Sequence, residues 1–168
     1  MSNKNNQIKI TKLDSNAIIP KFSREGDAGR DLYTLRETII PAKSTIVIPT
    51  GLAISLPQDK EAQIRPRSGI SLKGLQCKTT TDFDIVPDLR GIDFVAELRV
   101  QLGTIDSNYR GDIGIIVKNE SYLDVIIPKH TRLAQMIISN VVTDDLVEVD
   151  SIETTERNDK GFGSSGVN

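Results

Sequence analysis

The 168-residue chain has no tryptophan, and its aromatic residues amount to only 4%. A core without large rings must be filled by Ile, Val and Leu, and β-branched side chains lean the fold toward strands. Cysteine occurs once, as Cys77, and histidine once, as His130. One cysteine excludes an internal disulfide framework and fits a reducing compartment. One Cys with one His cannot build a zinc site. Cys77 reads as a small core or loop residue, and His130, following Pro128 and Lys129, as a turn residue rather than a catalytic base. No run approaches the roughly 18 apolar residues of a membrane span. The opening MSNKNNQIKI lacks the apolar stretch of a signal peptide, so the expected location is cytoplasmic, with no membrane association. A basic excess is missing too. The net charge is −2, and stable nucleic-acid binding is not expected.

What is present is a series of short apolar runs separated by turn signals. QIKITKL (7–13) alternates at period two. ETIIPAKSTIVIPTGLAISLP (37–57) reads as three strands and two turns. AQIRPRSG (62–69) begins as a strand and ends in a turn. DIGIIVKN (112–119), LDVIIPKHTRLAQMIIS (123–139) and DLVEVDSI (145–152) continue the pattern. Runs of this length and spacing predict an all-β sandwich or barrel, with at most a short helix around 68–75. The length suits one domain, assigned to residues 1–152. Two segments break the rhythm: KTTTDFDIVPDLRGIDFVAE (78–97), and the polar, Gly/Ser-rich tail at 153–168, whose composition favours a flexible chain.

The chain lacks a Walker loop and a Ser/His/Asp set. Five short clusters remain: DAGRDLYT (27–34), RPRSG (65–69), GTIDSNYRGDIG (103–114), RLAQ (132–135) and RNDKGFGSSG (157–166). Each alone reads as a solvated turn. Together they supply the parts of a phosphate-hydrolysing site. Arg67, Ser68 and the Gly69 N–H are donors for phosphate oxygens, and Arg157, Ser164 and Ser165 form a second set. Asp31 and Asp106 are carboxylates suited to holding magnesium-bound waters or activating an attacking water, because magnesium binds few carboxylates and keeps several waters. Tyr109 offers a flat face to a sugar or base. With no evident nucleophile, direct attack by water is the simpler chemistry.

In order and wording these clusters resemble the five motifs of the homotrimeric deoxyuridine triphosphatases (dUTPases), from about residue 20 to 166. The resemblance implies a jelly-roll-like β-barrel, a homotrimer with shared sites, and a C-terminal tail that closes over a site elsewhere in the trimer. It implies hydrolysis of dUTP to dUMP and pyrophosphate. Asp31 would hold waters on a Mg2+ ion bound to the triphosphate. Arg67, Ser68 and Gly69 would grip phosphates from a neighbouring subunit. Asp106 would orient and deprotonate the attacking water, and Tyr109 would pack under the deoxyribose and exclude a 2′-hydroxyl. The hairpin backbone from about 100 to 114, ending at Gly114, would pair with uracil. Gln135 would help fix the phosphates and the second-motif loop. Arg157 would bind phosphate, Phe162 would cover the uracil, and Ser164 and Ser165 would add donors.

Departures from the family pattern are Val100, where Asn is frequent, Asn158 and Lys160, where Gly is common, and a long link from Gly69 to Gly103. The link holds the insert at about 78–97. It reads either as an extra hairpin on the barrel rim or as an arm for a protein partner. Inserts also occur in dUTPases of phages and prophages of Gram-positive bacteria, some of which bind repressors. A nucleotide-sensing regulator is therefore the alternative to a simple enzyme. The related dCTP deaminases need a Glu on the strand after the third motif, and Glu120 comes too late in DIGIIVKNE. Arg110 and Asp112 are left over, and ion pairing near a subunit contact is the expectation for them.

Overall fold

The computed structural model describes residues 7–79, 93–156 and 158. Among the described residues there are thirteen strands: β1 (Lys9–Lys12), β2 (Gly29–Tyr33), β3 (Thr38–Ile40), β4 (Thr45–Pro49), β5 (Leu52–Ser55), β6 (Lys60–Pro66), β7 (Leu75–Lys78), β8 (Asp93–Ala96), β9 (Leu98–Val100), β10 (Gly103–Ile105), β11 (Gly114–Asn119), β12 (Val125–Ile127) and β13 (Arg132–Asn140). The helix α1 (Ser68–Lys73) falls where the sequence allows a short one. The strands pair as β1-β5, β10-β6-β13-β2, β4-β11-β9 and β3-β12-β7-β8, every pair antiparallel. The four sheets wrap one core as a jelly-roll-like β-barrel.

Period-two alternation directs that core. In β11, Ile115, Val117 and Asn119 point inward, and in β6, Ala62 and Ile64 do so. Leu32, Ile40, Ile48, Ile113, Ile115, Val117, Val125, Ile127 and Leu133 are wholly buried. Burying each such side chain contributes about 1.5–3 kcal/mol, so aliphatic residues carry the core without rings. Asn119 is the one fully buried polar residue among these large side chains. Its amide donates to the carbonyls of Ile40, Pro41 and Leu123, while its oxygen accepts from the Ser121 N–H. It thus joins the β3–β4 and β11–β12 connections.

His130 lies in the β12–β13 turn with φ 62°, as a turn residue should. Two readings need correction. DAGRDLYT contains a strand, β2, because Gly29–Tyr33 pairs with β13 despite its polar wording. DLVEVDSI contains none: 145–152 finds no partner strand among the described residues, and Leu146, Val147, Val149 and Ile152 lie exposed. The insert begins and ends in a ladder. β7 pairs with β8 from Leu75↔Ala96 to Lys78↔Asp93, so the described ends of 78–97 form a hairpin base. Residues 80–92 lie outside the described residues, as do Arg157, Lys160, Phe162, Ser164 and Ser165.

Candidate active site

The antiparallel pairing of β2, β13 and β6 sets Asp31 beside Gln135, and Gln135 beside Arg65. β6 ends at Pro66, and Arg67 follows as the residue capping α1, with extended backbone. A cavity of about 510 Å³ opens over this junction, lined by Asp31, Arg67, Ser68, Gly69, Gln135 and Arg132, with Ser23, Arg24 and Asp27 at its edge. Five of the residues singled out in the sequence therefore share one cavity within one chain.

Its electrostatics centre on Asp31, which is only 9% exposed. Arg67 Nε stands 2.8 Å from Asp31 Oδ1, and Arg132 Nη1 stands 3.4 Å from Oδ2. The Ser23 hydroxyl also donates to Oδ2, at 3.2 Å. Arg67 Nη1 donates to the Arg132 carbonyl at 2.9 Å, fixing the guanidinium against β13. The sequence alone assigns Arg132 no role, although it stands in RLAQ three residues before Gln135. Two guanidiniums and the hydroxyl of Ser68 thus face one cavity, and Arg is a residue type able to bind phosphate oxygens through paired N–H groups.

Gln135 holds the loop entering this cavity. Its Nε2 donates to the Pro66 carbonyl at 2.9 Å, one residue before Arg67. The amide fits because residue 29 is glycine: a Cβ there would lie 2.2 Å from Gln135 Oε1. Around Gly69, by contrast, a Cβ would meet nothing within 4 Å, leaving its backbone open to a ligand.

Asp106 and Tyr109 belong to a different segment and do not line that cavity. The segment is not a plain two-stranded hairpin. β9 pairs with β11, then the chain diverges: β10 joins β6, while β11 continues along β4. Asp106 is exposed, and the Tyr109 N–H donates to its carbonyl at 3.1 Å. Tyr109 is 41% exposed, and its hydroxyl donates to the Asp112 carbonyl at 3.0 Å. Gly114 lets β11 approach β4, where a Cβ would come within 2.4 Å of Val47 Cγ1. The ion pairs expected of Arg110 and Asp112 are not formed among the described residues. Arg110 Nη1 donates to the carbonyls of Ser107 and Tyr109, both at 2.7 Å. The Asp112 carboxylate faces backbone N–H groups instead.

The arrangement defines a β-barrel protein with an arginine-lined polar cavity and a separate carboxylate–phenol segment. The sequence model of the dUTPase family matches residues 15–96 and 90–166, and the chain belongs to that family. It is 39% identical over 159 residues to a deoxyuridine 5′-triphosphate nucleotidohydrolase of Clostridioides difficile, covering 95% of this chain and 97% of that one. It is 38% identical to the counterpart in Alkaliphilus metalliredigens, with the same coverage. Among solved structures it is similar to the dUTPase of Staphylococcus bacteriophage 80alpha with dUPNHPP. That match has a TM-score of 0.78 and 27% identity, covering 96% of this chain and 99% of that one. No helix of the described residues is long and apolar enough to cross a membrane.

Proposed function

We propose that the chain hydrolyses dUTP to dUMP and pyrophosphate, keeping uracil out of DNA and supplying dUMP for thymidylate synthesis. The observation that carries this reading is the division of the site. Phosphate-side residues share one cavity, whereas Asp106 and Tyr109 stand on a segment that does not reach it. A site divided in this way is completed by combining chains, which supports a homotrimer. Arg67, Ser68 and the Gly69 N–H of one subunit hold phosphates, and Gln135 steadies their loop. Asp106 of another orients a water for in-line attack on the α-phosphate and takes its proton. Tyr109 lies under the deoxyribose, and the backbone leading to Gly114 meets the uracil edge. There thymine's methyl clashes and cytosine's amino group presents a donor to a donor. The tail, 153–168, closes the site with Arg157, Ser164 and Ser165 on phosphates and Phe162 over uracil.

Mg2+ would neutralise triphosphate charge when bound. Asp31 fits contact with it through waters rather than direct ligation. Three donors already occupy its two oxygens, and a carboxylate has about four acceptor positions. The free, buried Cys77 accords with a reducing cytoplasm.

The test is pyrophosphate release with magnesium and each of dUTP, dTTP, dCTP and UTP. Release from dUTP alone is expected, and equal release from UTP would overturn the role of Tyr109. Asp106→Asn should lower the rate by about 10²–10⁴ while dUTP binding persists.

A second reading adds regulation through the insert. β8 is the outer strand of its sheet, with Val95 60% exposed, and an outer strand offers unpaired backbone groups to another chain. The structurally similar 80alpha dUTPase is described as controlling transfer of virulence genes. Pull-downs comparing the intact chain with one lacking 80–92, which spares the β7–β8 ladder, test this. Unchanged binding of every partner would remove the arm from consideration.

A further inference from the structure

We propose that Asp112 is a positioning residue: it ties Tyr109 to the barrel wall and thereby sets how strictly the sugar is tested. The inference rests on the reading of Tyr109 as the platform under the deoxyribose.

One carboxylate oxygen of Asp112 gathers the donors of a single turn. Oδ1 accepts from the Gly51 N–H at 2.9 Å and from the Thr50 and Leu52 N–H groups at 3.3 Å each. Successive N–H groups converging on an anion make a concave backbone site, here filled by the protein's own side chain. Its walls are rigid. Thr50 and Leu52 are each 1% exposed. Gly51 has φ +70°, and a Cβ there would lie 2.9 Å from Leu35 Cδ1. The next residue is tied to the same turn. The Thr50 hydroxyl donates to the Ile113 carbonyl at 2.8 Å, and the Ile113 N–H to the Leu52 carbonyl at 2.8 Å.

The other face of Asp112 meets the phenol. Its backbone carbonyl accepts the Tyr109 hydroxyl at 3.0 Å. The phenol lies directly over Gly111, where a Cβ would come within 2.4 Å of the hydroxyl oxygen. Residues 111 and 112 therefore form the seat of the ring, and the seat is bolted to 50–52 through the Asp112 side chain. Without that carboxylate the seat is free to shift, and a platform that moves admits a 2′-hydroxyl.

The test compares kcat/KM for dUTP and UTP, with magnesium, in the full-length protein and in Asp112→Ala, Tyr109→Phe, the double variant and Tyr109→Ala. Asp112→Ala should reduce the preference for dUTP over UTP by about tenfold, since small misplacements of positioning groups have effects of this order. Tyr109→Phe, which removes only the bond to the Asp112 carbonyl, should reduce it similarly, and the double variant should be no worse than Tyr109→Phe. If Asp112→Ala does not fold, Asp112→Asn, which keeps the shape and loses the charge, is read instead, and an unchanged preference in Tyr109→Phe overturns the tether regardless. A folded Asp112 variant slowed equally on both nucleotides, or losses that multiply in the double variant, would also overturn it. Unchanged preference in Tyr109→Ala would instead sink the sugar-platform reading itself.

Discussion

Replacing Gly29 with alanine asks whether one side-chain amide holds the loop that carries Arg67. Gly29 lies in β2, and its backbone is not in the left-handed region, so alanine introduces no torsional strain there. Its effect is purely steric. The new Cβ would stand 2.2 Å from Gln135 Oε1, 3.1 Å from Cδ and 3.2 Å from Cβ. The amide must swing away, which gives up the 2.9 Å bond to the Pro66 carbonyl. That bond contributes about 1 kcal/mol net. Gln135 Cβ cannot swing, so the strands must part slightly, and crowding of this kind adds ~1–2 kcal/mol. The sum of ~2–3 kcal/mol lowers the melting temperature of a domain this size by about 5–10 °C. Thermal unfolding at fixed protomer concentration measures it, since assembly would make the midpoint concentration-dependent.

Gln135→Ala should cost about 1 kcal/mol, because it loses the bond along with the amide that the new methyl would strike. The Cβ at residue 135 remains 3.2 Å from the new methyl, so Gly29→Ala should still add ~1–2 kcal/mol in that background. The double variant should match Gly29→Ala within ~0.5 kcal/mol, a coupling of ~1 kcal/mol. Simple addition of the two single effects would refute the reasoning. In the pyrophosphate assay, Gly29→Ala should raise KM for dUTP more than it lowers kcat, because on the proposed function the loosened loop holds phosphates and does not activate water.

Two further outcomes follow from buried groups. Burial pushes the Cys77 thiol up from 9.0 to about 12. A thiol reagent at pH 8 should therefore label one cysteine per chain in denaturant and none in the folded protein, and rapid labelling without denaturant would contradict the burial. Because the folded value is raised, the stability that this neutral thiol contributes is complete below about pH 9 and declines as pH rises toward 12. Asn119→Ala should lower stability by about 2–4 kcal/mol, since it strips hydrogen bonds from the carbonyls of Ile40, Pro41 and Leu123 together. A denaturant midpoint within error of the parent would show that water satisfies those carbonyls instead.

Strands that bury alternate side chains in their own chain were legible in the sequence. β4, β5, β6, β11 and β13 carry Ile, Leu or Ala at period two or in short buried runs, and the turns between them are marked. β2 was not, because Gly29 and Arg30 carry no apolar signal and its assignment depends on β13 lying alongside. The cavity residues were legible as residue types in recognisable clusters, but their pairing was not. Nothing in the sequence says that Arg67 and Arg132 both meet Asp31, or that Gly29 is small to admit Gln135. The role of Asp112 was hidden for the same reason: its acceptor oxygen serves backbone groups some sixty residues earlier, and backbone partners leave no trace in side-chain wording.

The error at 145–152 has a different cause, and it bears on the proposed assembly. DLVEVDSI has the composition of a strand, yet propensity measures fit to a pleated, half-buried surface, which only a partner can supply. Among the described residues none does: Leu146 is 101% exposed, Ile152 87% and Val147 79%. Burying three such side chains would contribute on the order of 5–9 kcal/mol. A strand-like segment left unburied in one chain, directly before a tail that carries Arg157 and Phe162, would gain that energy by lying on another copy. The same contact would deliver the tail to a site that one chain leaves divided. On this reading the apolar residues of 145–152 drive assembly while those of the tail serve chemistry. Replacing Leu146, Val147 and Ile152 by Ser should therefore yield monomers without pyrophosphate release but with an intact barrel. Monomers retaining full activity, detected by sedimentation and the same assay, would show that the site is complete within a single chain.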